Sequence, residues 1–338
     1  ENYGEDFFEE EVVLAQSQSR EVPTPVAASA QVSLPISDKV EKELRVLNLI
    51  KAYQQRAHLF AKISPITQRP SYEPALAIEN FGLTQADLNT VFDAAKELQL
   101  QPSPLSLIIR KLEDTFTQSI GIEFDYIESF KVKEWIQNKL YATDFLKDFT
   151  KEEKVRILQK LAESTALENF FHNKYVGQKR FSLEGNEAVI PAIDALIELA
   201  ANEKDVKEVV IGMAHRGRLN MLINILGKNL QDVFSEFDGK DYENPEFDGD
   251  VKYHLGLTSL RTTTKGKEVL LNLAPNPSHL ETVASVLEGI ARAKQDIHYA
   301  DKPSQVLPIV IHGDAAVAGQ GIVYEVMQME RLKGYTTH

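Results

Sequence analysis

Glu208-Val-Val-Ile-Gly-Met-Ala-His-Arg-Gly-Arg218 runs directly into Leu219-Asn-Met-Leu-Ile-Asn-Ile-Leu226, and Gly227 closes the stretch. The β-branched run from Glu208 to Ile211 reads as a short strand. The small and basic residues after it read as a turn, and the apolar residues from Leu219 to Leu226 as a helix. The same order recurs twice further on. Glu268-Val-Leu-Leu271 leads through the loop Ala274 to His279 into a helix over about 281–296, and Val306-Leu-Pro-Ile-Val-Ile311 leads into the loop His312 to Gly321. Strands alternating with helices in this way predict parallel βαβ units, hence an α/β fold. The three loops are then expected at the carboxyl edge of one sheet, where open α/β sheets bind ligands. Val306 to Ile311 is apolar enough to predict a fully buried strand.

Towards the N-terminus the pattern is helical. Ser37-Asp38 is a candidate N-cap, with Val40, Leu44, Leu47 and Ile50 at helical spacing behind it, for a helix ending near Lys62. Further helices are expected at about 84–99, 104–118, 131–141, 151–163 and 187–201. Gln16 to Pro35, rich in Ser, Ala, Gln, Val and Pro, has too few large apolar residues to offset the entropy of ordering and reads as a linker. The expected organisation is a disordered acidic and Pro-Ala-Ser segment over 1–37, a helical domain over 38–130, and an α/β domain over 131–338. The chain begins at Glu1 without an initiator methionine, which is expected of a trimmed, processed or excerpted sequence.

Composition narrows the function classes. A net charge of -13 repels phosphate backbones, which argues against nucleic acid as a partner. The absence of cysteine removes disulfides, thiolate nucleophiles and thiolate metal sites, and fits a reducing compartment. No apolar run approaches the roughly 20 residues that span a bilayer. The acidic stretch from Glu5 to Glu11 has the wrong sign for a leader.

The chemistry is expected on the three loops. His215, Arg216 and Arg218 lie where a strand gives way to a helix N-terminus, a place that favours anions. In the second loop Ser278 and His279 precede a helix, as a cap and a structural histidine or as ligand contacts. In the third, Asp314 ends a core strand beside Gly313, Ala315 and Ala316, whose small side chains leave main-chain amides open to a bulky anion. Asp314 is either a helix cap or a magnesium ligand, since a hard cation would reconcile a carboxylate with a phosphate. If the loops form one site, Asp314 is expected near Arg216, Ser278 and His254 and turned away from solvent.

Five segments then form a consistent series: Arg180-Phe-Ser-Leu-Glu-Gly185, Gly212-Met-Ala-His-Arg-Gly-Arg-Leu-Asn220, Asp250-Val-Lys-Tyr-His-Leu-Gly256, Asn276-Pro-Ser-His-Leu-Glu281 and Ile311-His-Gly-Asp-Ala-Ala316. In content, order and spacing they resemble the thiamine-diphosphate-dependent 2-oxoacid dehydrogenases, specifically the decarboxylating component for 2-oxoglutarate. Ala52-Tyr-Gln-Gln-Arg-Ala-His58 and Ile63-Ser-Pro65 resemble the family's early motifs, with Ala57 in place of a glycine and Ser64 in place of an aspartate.

The resemblance implies a thiamine-diphosphate-binding parallel-sheet domain beginning in the second half of the chain. It implies that Asp314 binds Mg2+ and that Arg216, Ser278, Leu280, Ala315 and Ala316 surround the cofactor diphosphate. His215 and His254 become the catalytic pair, with His215, His254 and Ser278 facing the substrate. It further implies a lipoyl-bearing succinyltransferase as partner and a homodimer in the full-length protein, with neither nucleic acid nor membrane as partner. The location implied is the cytoplasm in a bacterium or the mitochondrial matrix in a eukaryote. The family's second metal ligand is an asparagine some thirty residues after the Gly-Asp motif, whereas this chain stops at His338; alone it is expected to be inactive and prone to associate. The competing readings are a sister enzyme for 2-oxoadipate, a non-catalytic assembly fragment, and a histidine-rich metallohydrolase, which lacks the usual short ligand spacing.

Overall fold

A computed structural model describes residues 37–64, 66–67, 75–142, 149–238, 254–276 and 281–337. The linker expected over Gln16 to Pro35 lies outside them, as does the loop from residue 277 to 280. The chain divides into two compact units, Glu1–Lys147 and Asp148–His338.

In the first unit, α1 (Asp38–Arg56) starts where expected, with the Ser37 side chain accepting from the Val40 amide and Asp38 and Glu41 in the first turn. It buries Val46, Leu49, Ile50 and Tyr53, and a 3-10 turn, Ala57–Phe60, extends it. The helix expected over 84–99 does not form. In its place stand a 3-10 turn Gln85–Asn89, the two-residue strand β1 (Val91–Phe92) and a second 3-10 turn Asp93–Leu98. The cause is tertiary. Glu43 of α1 accepts from the amides of Asp93 and Ala94 at 2.8 and 2.9 Å, restarting the chain there, while Asp87 is held by Lys42 and by the Thr84 amide and hydroxyl. Strand β2 (Ser103–Pro104) pairs antiparallel with β1, and α2 (Leu105–Phe116) packs Leu105, Ile108, Leu112 and Phe116 into the same core. Phe116 meets Phe124 and the edge of Tyr141, a residue of α3 (Phe130–Ala142), at 6.3 and 6.4 Å.

The second unit opens with α4 (Lys151–Lys174), whose start is a reciprocal cap between Thr150 and Glu153. It runs past the expected end near 163 because Leu167, Phe171 and the following Tyr175 join an aromatic cluster with Phe237. Next come α5 (Val189–Lys204), β3 (Glu208–Met213), α6 (Arg218–Asn224) and α7 (Leu230–Phe237). They are followed by β4 (Leu257–Thr262), β5 (Glu268–Leu273), α8 (Val283–His298), β6 (Val306–Ile311), α9 (Asp314–Gly319) and α10 (Gly321–Met329).

The sheet order is β4-β5-β3-β6. Strand β3 is parallel to both β5 and β6, as expected, and every one of its residues is buried. Two expectations need correction. The sheet is mixed, because β4 forms a hairpin antiparallel to β5, and its alternation of half-buried and exposed residues had no apolar run to announce it. And β6 is largely half-buried: only Val306 is buried, because the strand stands at the end of the sheet order. Pro308 suits such a position, since a central strand uses its amides on both sides. Among the described residues no helix is long and apolar enough to cross a membrane.

Candidate active site

Because β3, β5 and β6 run parallel, the turns after them open on one edge of the sheet. The turn after β3 carries Ala214, His215, Arg216 and Gly217. Gly217 has φ +78, a backbone conformation that favours glycine, and a Cβ there would also press on the end of the Leu183 side chain at 2.6 Å. Its amide donates to the Phe181 carbonyl at 2.9 Å, and the exposed Arg216 donates to the Ser182 carbonyl at 3.3 Å. The segment 180–185 is thus strapped over the turn. Buried Glu168 of α4 anchors the strap by accepting from Arg180 at 2.6 Å and from the Leu183 amide at 3.1 Å.

The strap brings Phe181 against His215, with ring centroids 4.9 Å apart, and His215 in turn stacks on His254 at 4.9 Å and 23°. Phe181 holds φ +46, a left-handed conformation uncommon for a bulky residue and characteristic of sites where geometry is imposed. The two histidines expected to work together are therefore in ring contact, although the sequence places them on different loops.

Arg218, the first residue of α6, turns inward and is fully buried. Its guanidinium donates to the carbonyls of Met213 (3.2 Å), Ala274 (2.5 Å) and, twice, Leu255 (3.2 and 2.8 Å). Burial pushes its pKa down to about 10, which leaves it charged at neutral pH. Buried Asn276 works alongside it, its side-chain amide donating to the Met213 carbonyl at 2.8 Å and its backbone amide to the His254 carbonyl at 3.0 Å.

At the end of β6, Gly313 is the N-cap of α9 and Asp314 its first residue, so the cap reading for Asp314 is not met. Asp314 and Ala315 are exposed and Ala316 half-buried. The expectation that Asp314 turns away from solvent is likewise corrected, for the reason already seen in β6, whose outer side no described strand covers. Asp314 makes no side-chain hydrogen bond or ion pair among the described residues, and no group of three acidic or imidazole side chains there forms a metal cluster. Beside it His312 Nδ1 meets Glu281 Oε2 at 2.8 Å, joining the third loop to the start of the helix after the second. Ser278, His279 and Leu280 lie outside the described residues.

A family model, the dehydrogenase E1 component, matches residues 159–337, more than half of the chain and all of the edge just described. The chain belongs to this family. Among curated relatives it is similar to the 2-oxoglutarate dehydrogenase E1 component of Azotobacter vinelandii, 41% identical over 329 residues, covering 96% of this chain and 34% of the relative. It is also similar to the same-named proteins of Cupriavidus necator, 43% identical over 307 residues (89% and 32%), and Brucella ovis, 40% over 313 residues (89% and 31%). The chain spans about a third of the length of these relatives.

Within this E1-family segment, several residues that shape the edge escaped the sequence reading. Arg218 stood out only as a second basic residue in the turn; its position at the head of an apolar helix was the available signal that it faces inward. Glu281 and Phe181 sat inside recognised motifs without a role. The left-handed backbone of both, φ +62 and +46, has no signature in residue type.

Proposed function

We propose that the full-length protein carrying this chain is the decarboxylating E1 component of a 2-oxoglutarate dehydrogenase complex, releasing carbon dioxide and passing a succinyl group to the lipoyl group of a succinyltransferase partner. The observation that carries the proposal is the ring contact between His215 and His254 at the carboxyl edge of the E1-family sheet. Two adjacent imidazoles suit a dicarboxylic oxoacid, because they can donate hydrogen bonds to a carboxylate and also move protons near neutral pH. Ser278 would complete the substrate contacts.

The residues of the third loop fit a diphosphate cofactor with Mg2+. Asp314 is a carboxylate free of other protein partners among the described residues, and a Cβ on Gly313 would meet nothing within 4 Å, so the approach to the first amides of α9 is open. Magnesium needs only one or two carboxylates when phosphate oxygens complete its shell. Asp314 would hold the metal; Arg216, Ser278, Leu280 and the main chain at Ala315 and Ala316 would hold the diphosphate. Bound thiamine diphosphate supplies the electron sink for decarboxylation. Phe181, tilted against His215 at 4.9 Å, would help to orient the imidazole, and the strap from 180 to 185 holds Phe181 in place.

The test is turnover by the full-length protein with thiamine diphosphate, Mg2+ and an artificial electron acceptor. Expected is 2-oxoglutarate-dependent activity, with kcat/KM lowered about 10²-fold in His254→Ala. Preference for 2-oxoadipate, or no loss in the variant, overturns the reading.

A further inference from the structure

We infer that Arg218 and Asn276 are positioning residues that hold the His254 imidazole against His215; the inference rests on the proposed role of these histidines. The two side chains form a clasp with two jaws. One jaw is the end of β3, where Arg218 Nη1 and Asn276 Nδ2 both donate to the Met213 carbonyl, two residues before His215. The other is the segment 254–255. There the His254 carbonyl accepts the Asn276 amide, and the Leu255 carbonyl accepts both Nε and Nη2 of Arg218. Gly256 follows immediately, and a Cβ there would lie 2.6 Å from the Leu273 carbonyl, so the segment is pressed onto the end of β5. The fourth bond of Arg218, to the Ala274 carbonyl, ties that end into the same unit.

The choice of side chain is informative. A buried cation ordinarily sits against a carboxylate, yet Arg218 has none among the described residues and spends its donors on three carbonyls from three segments. A planar fork with five N–H donors can span such a set, whereas an ammonium, with three donors on one point, cannot. Two of the three acceptors, the Met213 and Leu255 carbonyls, lie within two residues of His215 and His254, so the ring contact at 4.9 Å depends on the clasp. The cofactor residues proposed on the third loop do not.

The test compares the full-length protein with Arg218→Lys, which keeps charge but not the fork, and Asn276→Ala. Three quantities are read: hydrogen exchange of the peptide covering 254–262 in the cofactor-free protein, the thiamine diphosphate dissociation constant by titration calorimetry, and KM for 2-oxoglutarate. Expected are about tenfold faster exchange and an about tenfold higher KM, with cofactor affinity falling by less than KM rises, because Asp314, Ala315 and Ala316 lie outside the clasp. Unchanged exchange or KM overturns the inference. So does a loss of cofactor affinity in step with KM, the mark of general loosening. If Arg218→Lys does not fold, Asn276→Ala decides by the same criteria. If the parent itself turns over no 2-oxoacid, the proposed function fails while the exchange measurement still judges the clasp.

Discussion

Glu281 combines two costs that its environment must offset. Its φ of +62 is a conformation that disfavours any residue with a Cβ, and its carboxylate is buried. The compensating contact is the 2.8 Å bond to His312, which ties the start of α8 to the loop bearing Asp314. Glu281→Ala keeps the backbone strain and leaves the imidazole without this partner, so it is expected to destabilise by about 1–3 kcal/mol. Glu281→Gly loses the same bond but relieves the strain, and is expected to be about 1 kcal/mol more stable than the alanine variant. Urea unfolding of the two variants checks the ordering; alanine equal to or better than glycine would mean that the left-handed backbone is not strained there.

At the scale of elements, the hairpin of β4 and β5 is held to α4 and α5 by four charges. Arg261 of β4 reaches Asp194 at 2.5 Å and Glu198 at 2.9 Å, and Arg156 of α4 reaches the same two carboxylates at 2.6–3.0 Å. Burial pushes the Asp194 carboxyl up, but hydrogen bonds from Arg156 and the charge and hydrogen bond of Arg261 outweigh it and hold the group below the usual carboxylate range. Glu198 is likewise pushed up by burial and brought below its ordinary value by Thr264 and the arginines. A carboxylate lowered in the folded state contributes stability above its unfolded value, about 4, and that contribution is lost as pH falls through the folded one. Asp194→Asn leaves two guanidinium groups short of a buried anion and is expected to cost about 3 kcal/mol at neutral pH. The difference between parent and variant should shrink below about pH 4. Denaturant midpoints across that range test the sign; a gap that widened on acidification would exclude the assignment.

At the scale of the molecule, the net charge of -13 sets the long-range field. Proteins that bind duplex DNA without sequence preference reach dissociation constants of about 10⁻⁴ to 10⁻⁶ M through phosphate neutralisation. This chain is expected to bind more weakly than about 10⁻⁴ M at physiological salt. Anisotropy titration of a labelled duplex measures it, and a tighter midpoint would reveal a basic patch that the overall charge conceals.

Features with a local cause could be read along the chain. Strands β3, β5 and β6, the Ser37 cap and the turns after the strands follow from residue type and spacing over a few positions, as do the motifs that lead to the family. Pairing between distant segments could not. The helix expected over 84–99 gives way because Glu43, 50 positions before Asp93, caps amides inside it. Arg218 becomes a buried clasp because carbonyls 37 and 56 positions away converge on it. The contact between His215 and His254, and the exposed place of Asp314 beyond an outer strand, depend likewise on which strand lies beside which. Side-chain period and turn chemistry are short-range properties of the backbone, whereas the direction a polar group faces is set by partners that only the folded chain brings within hydrogen-bonding reach.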